Sequence, residues 1–415
     1  MIRIVRFIAI CLAQALVVPC AIWIRFGGWA CGSGVRGGVV PLTLSFSQVP
    51  WDEVWQRPQE YACLTAYRGA VVFLAPVQVH EWIGRIGLRW RPFQMILGDW
   101  VPFPMAVLSP LVFSGHFKSR FVFDLNTALM AWATAPWVAD TPAARIVTNT
   151  PLGLPTLERL GLLPTTRFAY DVIDDFAAFQ WAPPWTRALD DRLMREAAVV
   201  ITGTDTLARE RRAVRPDVVF VPLGVDAARF GIDPAPATPP ELVGVTGPVI
   251  GYVGSISERL DLDLLDRLGR EFPEAIVAMV GPVHLPAGSL PRGSGNFRWF
   301  GLRRSEELPA FVRRFSVALI PFRLNEATRR LNPVKALEYL AAGVPVVSTA
   351  IPDVVTLYSD VIAVADDANG FVAAVRSAID SPDAERIKVG RERASGQTWQ
   401  AMADRMDEVF GEAGL

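Results

Sequence analysis

Asn332-Pro-Val-Lys-Ala-Leu-Glu-Tyr-Leu-Ala-Ala-Gly-Val-Pro-Val-Val-Ser348 is the stretch that decides the fold, because it predicts a short helix followed by a buried strand. Asn332 is a good N-cap, and Pro333 suits the first helical position, where its missing N–H costs nothing. Gly343 can end the helix in the left-handed conformation, and residues 346–348 then resume as a strand. The free N–H groups at the start of such a helix favour an anion in the loop before it.

Two charged side chains belong to the first turns of this predicted helix. Lys335 would place a positive charge beside the anion, and Glu338 follows three residues later on the same face. An ammonium beside a phosphate and a carboxylate beside a ribose diol would suit a nucleotide. Lys335 is one of only three lysines among 41 basic residues, which favours a need for a compact ammonium here. The helix alone leaves open a second interpretation, a well-capped surface helix followed by a core strand.

Apolar runs alternate with helical segments along the chain, which predicts an α/β fold with mainly parallel sheets. The length of 415 residues and one Pro-rich linker favour two doubly wound domains facing a cleft. The predicted divisions are an N-terminal hydrophobic segment (1–38), a first Rossmann-like domain (39–231), a linker (232–248), a second Rossmann-like domain (249–392) and a C-terminal helix that packs back on the first domain (393–415).

Composition narrows the classes of function. A net charge of −1 implies no broad surface for nucleic acid. Four cysteines without CxxC spacing and three widely separated histidines predict neither a disulfide framework nor a metal site. The uncharged run within residues 1–38 is typical of a membrane anchor, but a start assigned too far upstream would explain it equally well, and both are favoured over a cleaved signal. Residues 94–113 are very apolar, yet their prolines favour a buried irregular core segment over a spanning helix.

In the second domain, candidate binding residues follow the predicted strands. Gly254 would let the backbone N–H groups of Gly254 and Ser255 approach a diphosphate, and Arg259 would add charge. An ordinary turn with a solvated arginine is the alternative. Asp261-Leu-Asp263 matches a DxD metal pattern, but acidic residues in this place are expected to cap a helix instead.

In the first domain, aromatic and acidic residues follow two predicted strands. Trp55 and Arg57 would line one side of the cleft. Asp174 and Asp175, in the cluster Asp171-Val-Ile-Asp-Asp175, would accept protons from hydroxyl groups or bind sugar hydroxyls. Structural packing and turn capping are the competing interpretations. His116 has no identifiable partner and is read as a satisfied or solvated histidine.

Taken in order, these motifs resemble glycosyltransferases of the GT-B fold, in the retaining group called family 4, and especially bacterial members of teichuronic-acid and exopolysaccharide synthesis. The resemblance covers residue 39 to the end. It rests above all on Asn332 to Ser348, and also on Trp51 to Gln59, Tyr170 to Phe176, Val221 to Asp226 with Phe230, Gly251 to Gly254, and Asn296 to Gly301.

The resemblance implies a metal-independent hexosyl-type transferase without a cofactor, whose nucleotide-sugar donor is a co-substrate. The second domain would hold the donor, and the first would hold a glycan or lipid-linked acceptor. Lys335 and Arg259 would bind the diphosphate, Glu338 the ribose, and Gly254 and Ser255 the phosphates through their backbone. The protein is expected in the cytoplasm, at the inner face of the membrane, with peripheral or anchored association.

One position departs from the family pattern. Relatives carry two glutamates with seven residues between them; with Glu338 as the second, the first position is Arg330, and Glu326 is out of register. This departure affects the identity of the sugar. A nucleotide-sugar epimerase and an inactive scaffold with the same architecture remain the competing functions.

Overall fold

The computed structural model describes residues 42–47, 49–51, 55–78, 93–98, 101–113, 115, 118–138, 144–163, 167–178, 182–326 and 328–415. The predictions for residues 1–38 and for His116 lie outside these ranges. The chain forms two compact units. Unit 1 comprises Met1–Thr202, Arg211–Phe220 and Ala403–Leu415, and unit 2 comprises Gly203–Glu210 and Val221–Met402.

Sixteen strands lie in the described part of the chain. They are β1 Leu42–Phe46, β2 Ala70–Leu74, β3 Val77–Gln78, β4 Phe93–Gly98, β5 Val101–Leu108, β6 Leu111–Val112, β7 Ala144–Thr148, β8 Phe168–Val172, β9 Val199–Thr202, β10 Val219–Phe220, β11 Val249–Val253, β12 Ile276–Val280, β13 Phe297–Gly301, β14 Val317–Ile320, β15 Val346–Thr349 and β16 Ala363–Ala365.

The α-helices of the described residues connect these strands. They are α1 Arg57–Thr65, α2 Arg120–Val138, α3 Leu154–Arg159, α4 Thr186–Glu196, α5 Asp205–Arg212, α6 Ala227–Phe230, α7 Leu262–Glu271, α8 Leu308–Val312, α9 Lys335–Ala342, α10 Pro352–Tyr358, α11 Ala368–Asp380, α12 Ala384–Gly396 and α13 Trp399–Glu412. Among the helices of the described ranges, none has both the length and the apolar character that crossing a membrane requires.

Unit 1 contains an eight-stranded sheet in the order β10-β9-β8-β7-β1-β2-β5-β4. All neighbouring strands are parallel except β4 and β5. The central strands β1, β2 and β8 are buried along their whole length, as expected for a parallel sheet covered on both faces. From Ala403 onward, α13 belongs to this unit, where Asp407 accepts a hydrogen bond of 3.1 Å from the Tyr61 hydroxyl and pairs with Arg145.

Residues 94–113 do not form the irregular segment that their prolines predicted. They contribute the antiparallel pair β4–β5 and the short strand β6. The prolines are tolerated because Pro102 and Pro104 precede the part of β5 that pairs with β2, which begins at Met105. The pairing with β4 also shifts register there, between Ile96 and Gly98. Neither proline therefore has to supply a ladder N–H to β2.

Unit 2 contains six parallel strands in the order β13-β12-β11-β14-β15-β16. Strands β11 to β13 are added toward one edge of the sheet, and strands β14 to β16 toward the other. The boundary between β11 and β14 is therefore the topological switch point of a doubly wound sheet. Loops that follow the carboxyl ends of β11 and β14 diverge there and leave a crevice for a ligand. The loops in question contain Gly254-Ser255 and residues 321–334.

Candidate functional site

Helix α9 begins and ends close to the predicted positions, but its N-terminus is built differently. Gly343 adopts φ 70°, the left-handed conformation that the sequence predicted. Asn332 is not the N-cap: Val334 occupies that position, and the Asn332 amide donates to the Gly203 carbonyl oxygen at 3.2 Å. The first turn is instead closed by the Ala336 N–H, which bonds the Pro333 carbonyl at 2.9 Å.

A cavity of about 370 Å³ lies beside this helix in unit 2. Its walls come from the segments that follow β11, β12 and β14 and from the first residue of α9, which is where the strand order predicts a ligand. The lining residues are Tyr252, Ser255, Ser257, Glu258, Arg259, His284, Phe322 and Lys335.

Lys335 is one of two cationic side chains that line this cavity, the other being Arg259. Its ammonium lies 5.6 Å from the ring centre of Tyr252 and 5.1 Å from that of Phe322. No described residue forms a hydrogen bond or an ion pair with it. Burial lowers the pKa of Lys335 to about 8; Glu338 opposes this shift and Arg259 adds to it. An ammonium held by ring faces, with no anion bound to it, is poised to take an anionic ligand.

Two glycines bring the backbone to the edge of the cavity. Gly254 adopts φ 144°, and a Cβ there would meet the Tyr252 hydroxyl at 2.9 Å and Lys335 Cε at 3.1 Å. Gly281 adopts φ 145°, and a Cβ on it would overlap the Gly254 carbonyl oxygen. The Tyr252 hydroxyl donates to the Ser255 carbonyl oxygen at 3.0 Å and fixes the turn. A residue with a Cβ at either position would therefore clash, so this backbone arrangement requires glycine at both.

Arg259 and Glu338 are placed differently with respect to the cavity. Arg259 lines it, and its carbonyl oxygen accepts from the Arg323 N–H at 2.9 Å. Glu338 is not among the lining residues, although it follows Lys335 by one helical turn. Burial raises the pKa of Glu338, while the positive charges of Lys335 and Arg229 lower it. Its contact with a ribose stays a prediction.

Arg330 occupies the position that the family pattern gives to a glutamate, and its guanidinium forms ion pairs with two glutamates. Its Nε donates to Glu210 at 2.7 Å, and a second nitrogen lies 3.5 Å from Glu326. Burial raises the pKa of Glu210, but the hydrogen bonds from Arg330 and Arg329 outweigh it, so the pKa lies below its usual value. Arg330 thus anchors the loop between Phe322 and Lys335, two residues that line the cavity.

In unit 1, Arg57 is engaged in a buried ion pair. Its Nε donates to Asp171 at 3.0 Å, and the two side chains are 4% and 1% exposed. The Asn149 amide donates to the same carboxylate oxygen at 3.1 Å. Trp55, also predicted to bind substrate, is 45% exposed and rests edge-on against Trp51 at 4.9 Å between ring centres.

The two acids that follow β8 differ from each other. Asp174 accepts the Asp175 N–H at 3.0 Å. Asp175 is buried and lies 3.5 Å from Arg211 and 3.7 Å from Arg187. It therefore belongs to a charge cluster, while its role toward a substrate stays a prediction.

The described residues contain no group of three or more His, Cys, Asp or Glu side chains placed to hold a metal ion. The DxD pattern does what the sequence predicted, because Asp261 caps α7 by accepting the Leu264 N–H at 3.0 Å. Asp263 points to solvent, with 97% of its side chain exposed.

Sequence reasoning missed five of the eight lining residues. They are Tyr252, Ser257, Glu258, His284 and Phe322. His284 was available to the same logic that found Gly254, because it follows Gly281-Pro282 at the end of β12. Phe322 carried no signal, and Tyr252 entered only as part of the motif Gly251 to Gly254, since aromatic residues beside a strand are usually core.

With this geometry in place, the comparisons with known proteins are informative. Residues 247–381, which contain the entire cavity, match the family model described as Glycosyl transferases group 1. The fold of the chain is GT-B. The sucrose-phosphate synthase of Thermosynechococcus elongatus matches with a TM-score of 0.68 at 15% identity, covering 90% of this chain and 99% of that one. Anabaena Alr3699/HepE, solved in complex with UDP and glucose, matches with 0.64 at 13% identity, covering 90% and 100%.

A curated relative is similar in sequence. It is TuaH of Bacillus subtilis (strain 168), whose name assigns it to teichuronic acid biosynthesis as a glycosyltransferase. The two chains are 24% identical over 237 residues. That match spans 53% of this chain and 58% of the relative's length, less than two thirds of it.

Proposed function

We infer that the chain is a retaining glycosyltransferase that moves a hexosyl group from a nucleotide-sugar donor to a glycan or lipid-linked acceptor. The observation that carries this inference is the unpaired ammonium of Lys335 in a cavity at the switch point, inside the segment that matches group 1 glycosyltransferases. A nucleoside diphosphate would supply an anionic partner for this ammonium. The name of the relative TuaH supports a role in cell-envelope or exopolysaccharide synthesis. A location at the cytoplasmic face of the membrane belongs to the proposal because nucleotide-sugar donors are cytosolic.

In the proposed reaction the site acts mainly by electrostatic stabilisation of the leaving group. As the bond between the anomeric carbon and the diphosphate oxygen breaks, negative charge grows on the leaving group. Lys335 and Arg259 stabilise that charge, without a metal ion, in a partly dry cavity. The acceptor oxygen forms the new bond on the same face of the sugar, and its proton passes to the departing phosphate. The two-carboxylate arrangement of retaining glycosidases is not required.

A thermal-shift panel of UDP-, GDP-, ADP- and dTDP-sugars on the full chain tests the donor site. We expect one nucleotide to raise the melting temperature and Glu338→Gln to weaken that rise, because a carboxylate accepts both hydroxyls of a ribose better than an amide does. A stable epimeric donor as the product would favour an epimerase. Nucleotide binding without transfer or hydrolysis would favour the scaffold function that Arg330 suggests.

Donor affinity should depend on pH through Lys335. Burial lowers its pKa to about 8, so the ammonium is present below that pH and is lost above it. The association constant for the nucleotide should be flat from about pH 6 to 7.5 and then fall, approaching about tenfold per pH unit above the pKa. Titration calorimetry across this range measures it. In Lys335→Met the weaker residual binding should stay flat above pH 8; an equal fall in both proteins would assign the titration to another group.

A further inference from the structure

The helix α2 turns an apolar face to solvent. Phe121 is 77% exposed, Leu125 38% and Trp132 43%. These positions are separated by four and seven residues, so they lie on one side of the helix. Between and after them on the same side come Ala128, Leu129 and Ala135. This outward face, an arc of about 120° on a helix of 3.6 residues per turn, contains no charge.

The opposite face of α2 is buried in unit 1 and mixes apolar residues such as Phe123 and Met130 with three polar residues that find partners there. Asn126 bonds both the N–H and the carbonyl oxygen of Phe113, at 2.8 and 2.9 Å. Thr127 accepts from Arg159 at 2.9 Å, and Thr134 donates to the Met130 carbonyl oxygen at 2.8 Å. The bonds to Phe113 and Arg159 fix the orientation of the helix in unit 1. The outward side of the helix is nevertheless apolar as well, which contact with water does not require.

Basic side chains adjoin the start of this face. Lys118 is exposed just before the helix, and the Arg120 side chain is 56% exposed. Arg120 pairs with Asp124 at 3.2 Å, the one acid of the helix, and also lies over the rings of Phe123 and Trp185, at 5.3 and 5.5 Å from their centres. The charge left over is positive. Aromatic residues on one helix face with cations at its edge fit the interface of a bilayer that carries acidic headgroups.

We propose that the outward face of α2 docks on the surface of an anionic lipid bilayer. The helix lies along the interface, Phe121, Leu125 and Trp132 enter the boundary between headgroups and acyl chains, and Lys118 contacts acidic headgroups. Docking would hold unit 1 where a lipid-linked acceptor is found, and only this purpose rests on the proposed function. The bilayer contact itself follows from the helix.

Vesicle flotation of the full chain tests the proposal. The lipids are phosphatidylcholine alone and phosphatidylcholine with about a third phosphatidylglycerol. The test variant is Phe121→Ser with Trp132→Ser. The matched control is Val214→Ser, because Val214 is also 77% exposed in unit 1 but lies outside α2. We expect binding to the mixed vesicles, at least about a tenfold loss in the double variant, and no loss in the control. Leu125→Ser is the second variant, should the double variant fold poorly.

Three results would overturn the proposal. They are no vesicle binding by the unaltered chain, equal binding by the double variant, or a dimer in vesicle-free buffer that only the α2 variants dissociate, which would make a second copy the occupant. Nucleotide-induced thermal shifts, measured on the same proteins, report on unit 2. If vesicle binding fails while these shifts persist, the docking proposal fails and the donor site stands.

Discussion

Lys335→Met should lower kcat/KM for the donor at least about a hundredfold, equivalent to ~2.7 kcal/mol of transition-state stabilisation, while leaving the fold intact. The reason is that the ammonium faces two aromatic rings and forms no hydrogen bond or ion pair with a described residue. The charge contributes little to the folded state and much to a leaving diphosphate. Methionine replaces the apolar stem of lysine with a flexible chain that is one atom shorter, so the effect reports mainly on the charge.

The control for this experiment is another lysine of unit 2. Lys388 is 64% exposed and lies 3.9 Å from Glu385 in α12, away from the lining residues of the cavity. Lys388→Met should leave donor turnover within about twofold of the unaltered chain. Donor hydrolysis and transfer, measured at saturating and limiting donor, separate binding from chemistry. Equal turnover in Lys335→Met and Lys388→Met would remove Lys335 from the mechanism.

Arg57→Met should destabilise unit 1 by about 3–5 kcal/mol, because it leaves the buried Asp171 carboxylate without its cation. Arg192→Met is the matched control. Arg192 pairs with Glu158 at 2.8 Å and Glu196 at 2.9 Å, but its side chain is 34% exposed, so its loss should cost about 0–1 kcal/mol. Eleven of the 13 tryptophans lie at or before Trp185, so tryptophan fluorescence during denaturation reports mainly on unit 1.

The destabilisation should shrink at acid pH. Burial raises the pKa of Asp171, and Arg57 opposes that shift. Without Arg57 the carboxyl of the folded state takes up a proton at higher pH than that of the unfolded state, so stability recovers as pH falls. A variant of full stability that uses acceptor poorly would contradict the structural role. It would support the sequence prediction that Arg57 binds substrate.

Strands were the most predictable part of the fold. The short apolar runs 199–202 and 249–253, which end at turn-forming residues, each predict a strand, and β9 and β11 have these same bounds. The N-cap at Asn332 was wrong because a capping preference is local. The partner that the side chain takes, Gly203, is 129 residues away in sequence. The prediction for residues 94–113 was wrong for a similar reason. Composition does not reveal that Pro102 and Pro104 precede the part of β5 that pairs with β2.

Part of the candidate site could likewise be predicted from the sequence, and part could not. Ser255, Arg259 and Lys335 come together in the cavity because carboxyl ends of parallel strands converge, a rule that needs only strand order. The pairing of Arg330 with Glu210 could not be foreseen, because Glu210 precedes the linker and had no reason to be assigned to the donor side. The sequence correctly marked Arg330 as exceptional without indicating what it does.

The segment Gly203–Glu210 has a consequence for recombining such enzymes. It belongs to unit 2, where Asp353 accepts the N–H groups of Asp205 and Thr206 at 2.8 and 2.9 Å. A chimaera joined at residues 232–248 would combine one parent's Asp353 and Arg330 with the other parent's residues 203–210. Both partnerships would then depend on chance identity between parents. The part of the chain to exchange is therefore discontinuous in sequence. Chimaeras designed to change donor preference should exchange residues 203–210 together with the C-terminal half.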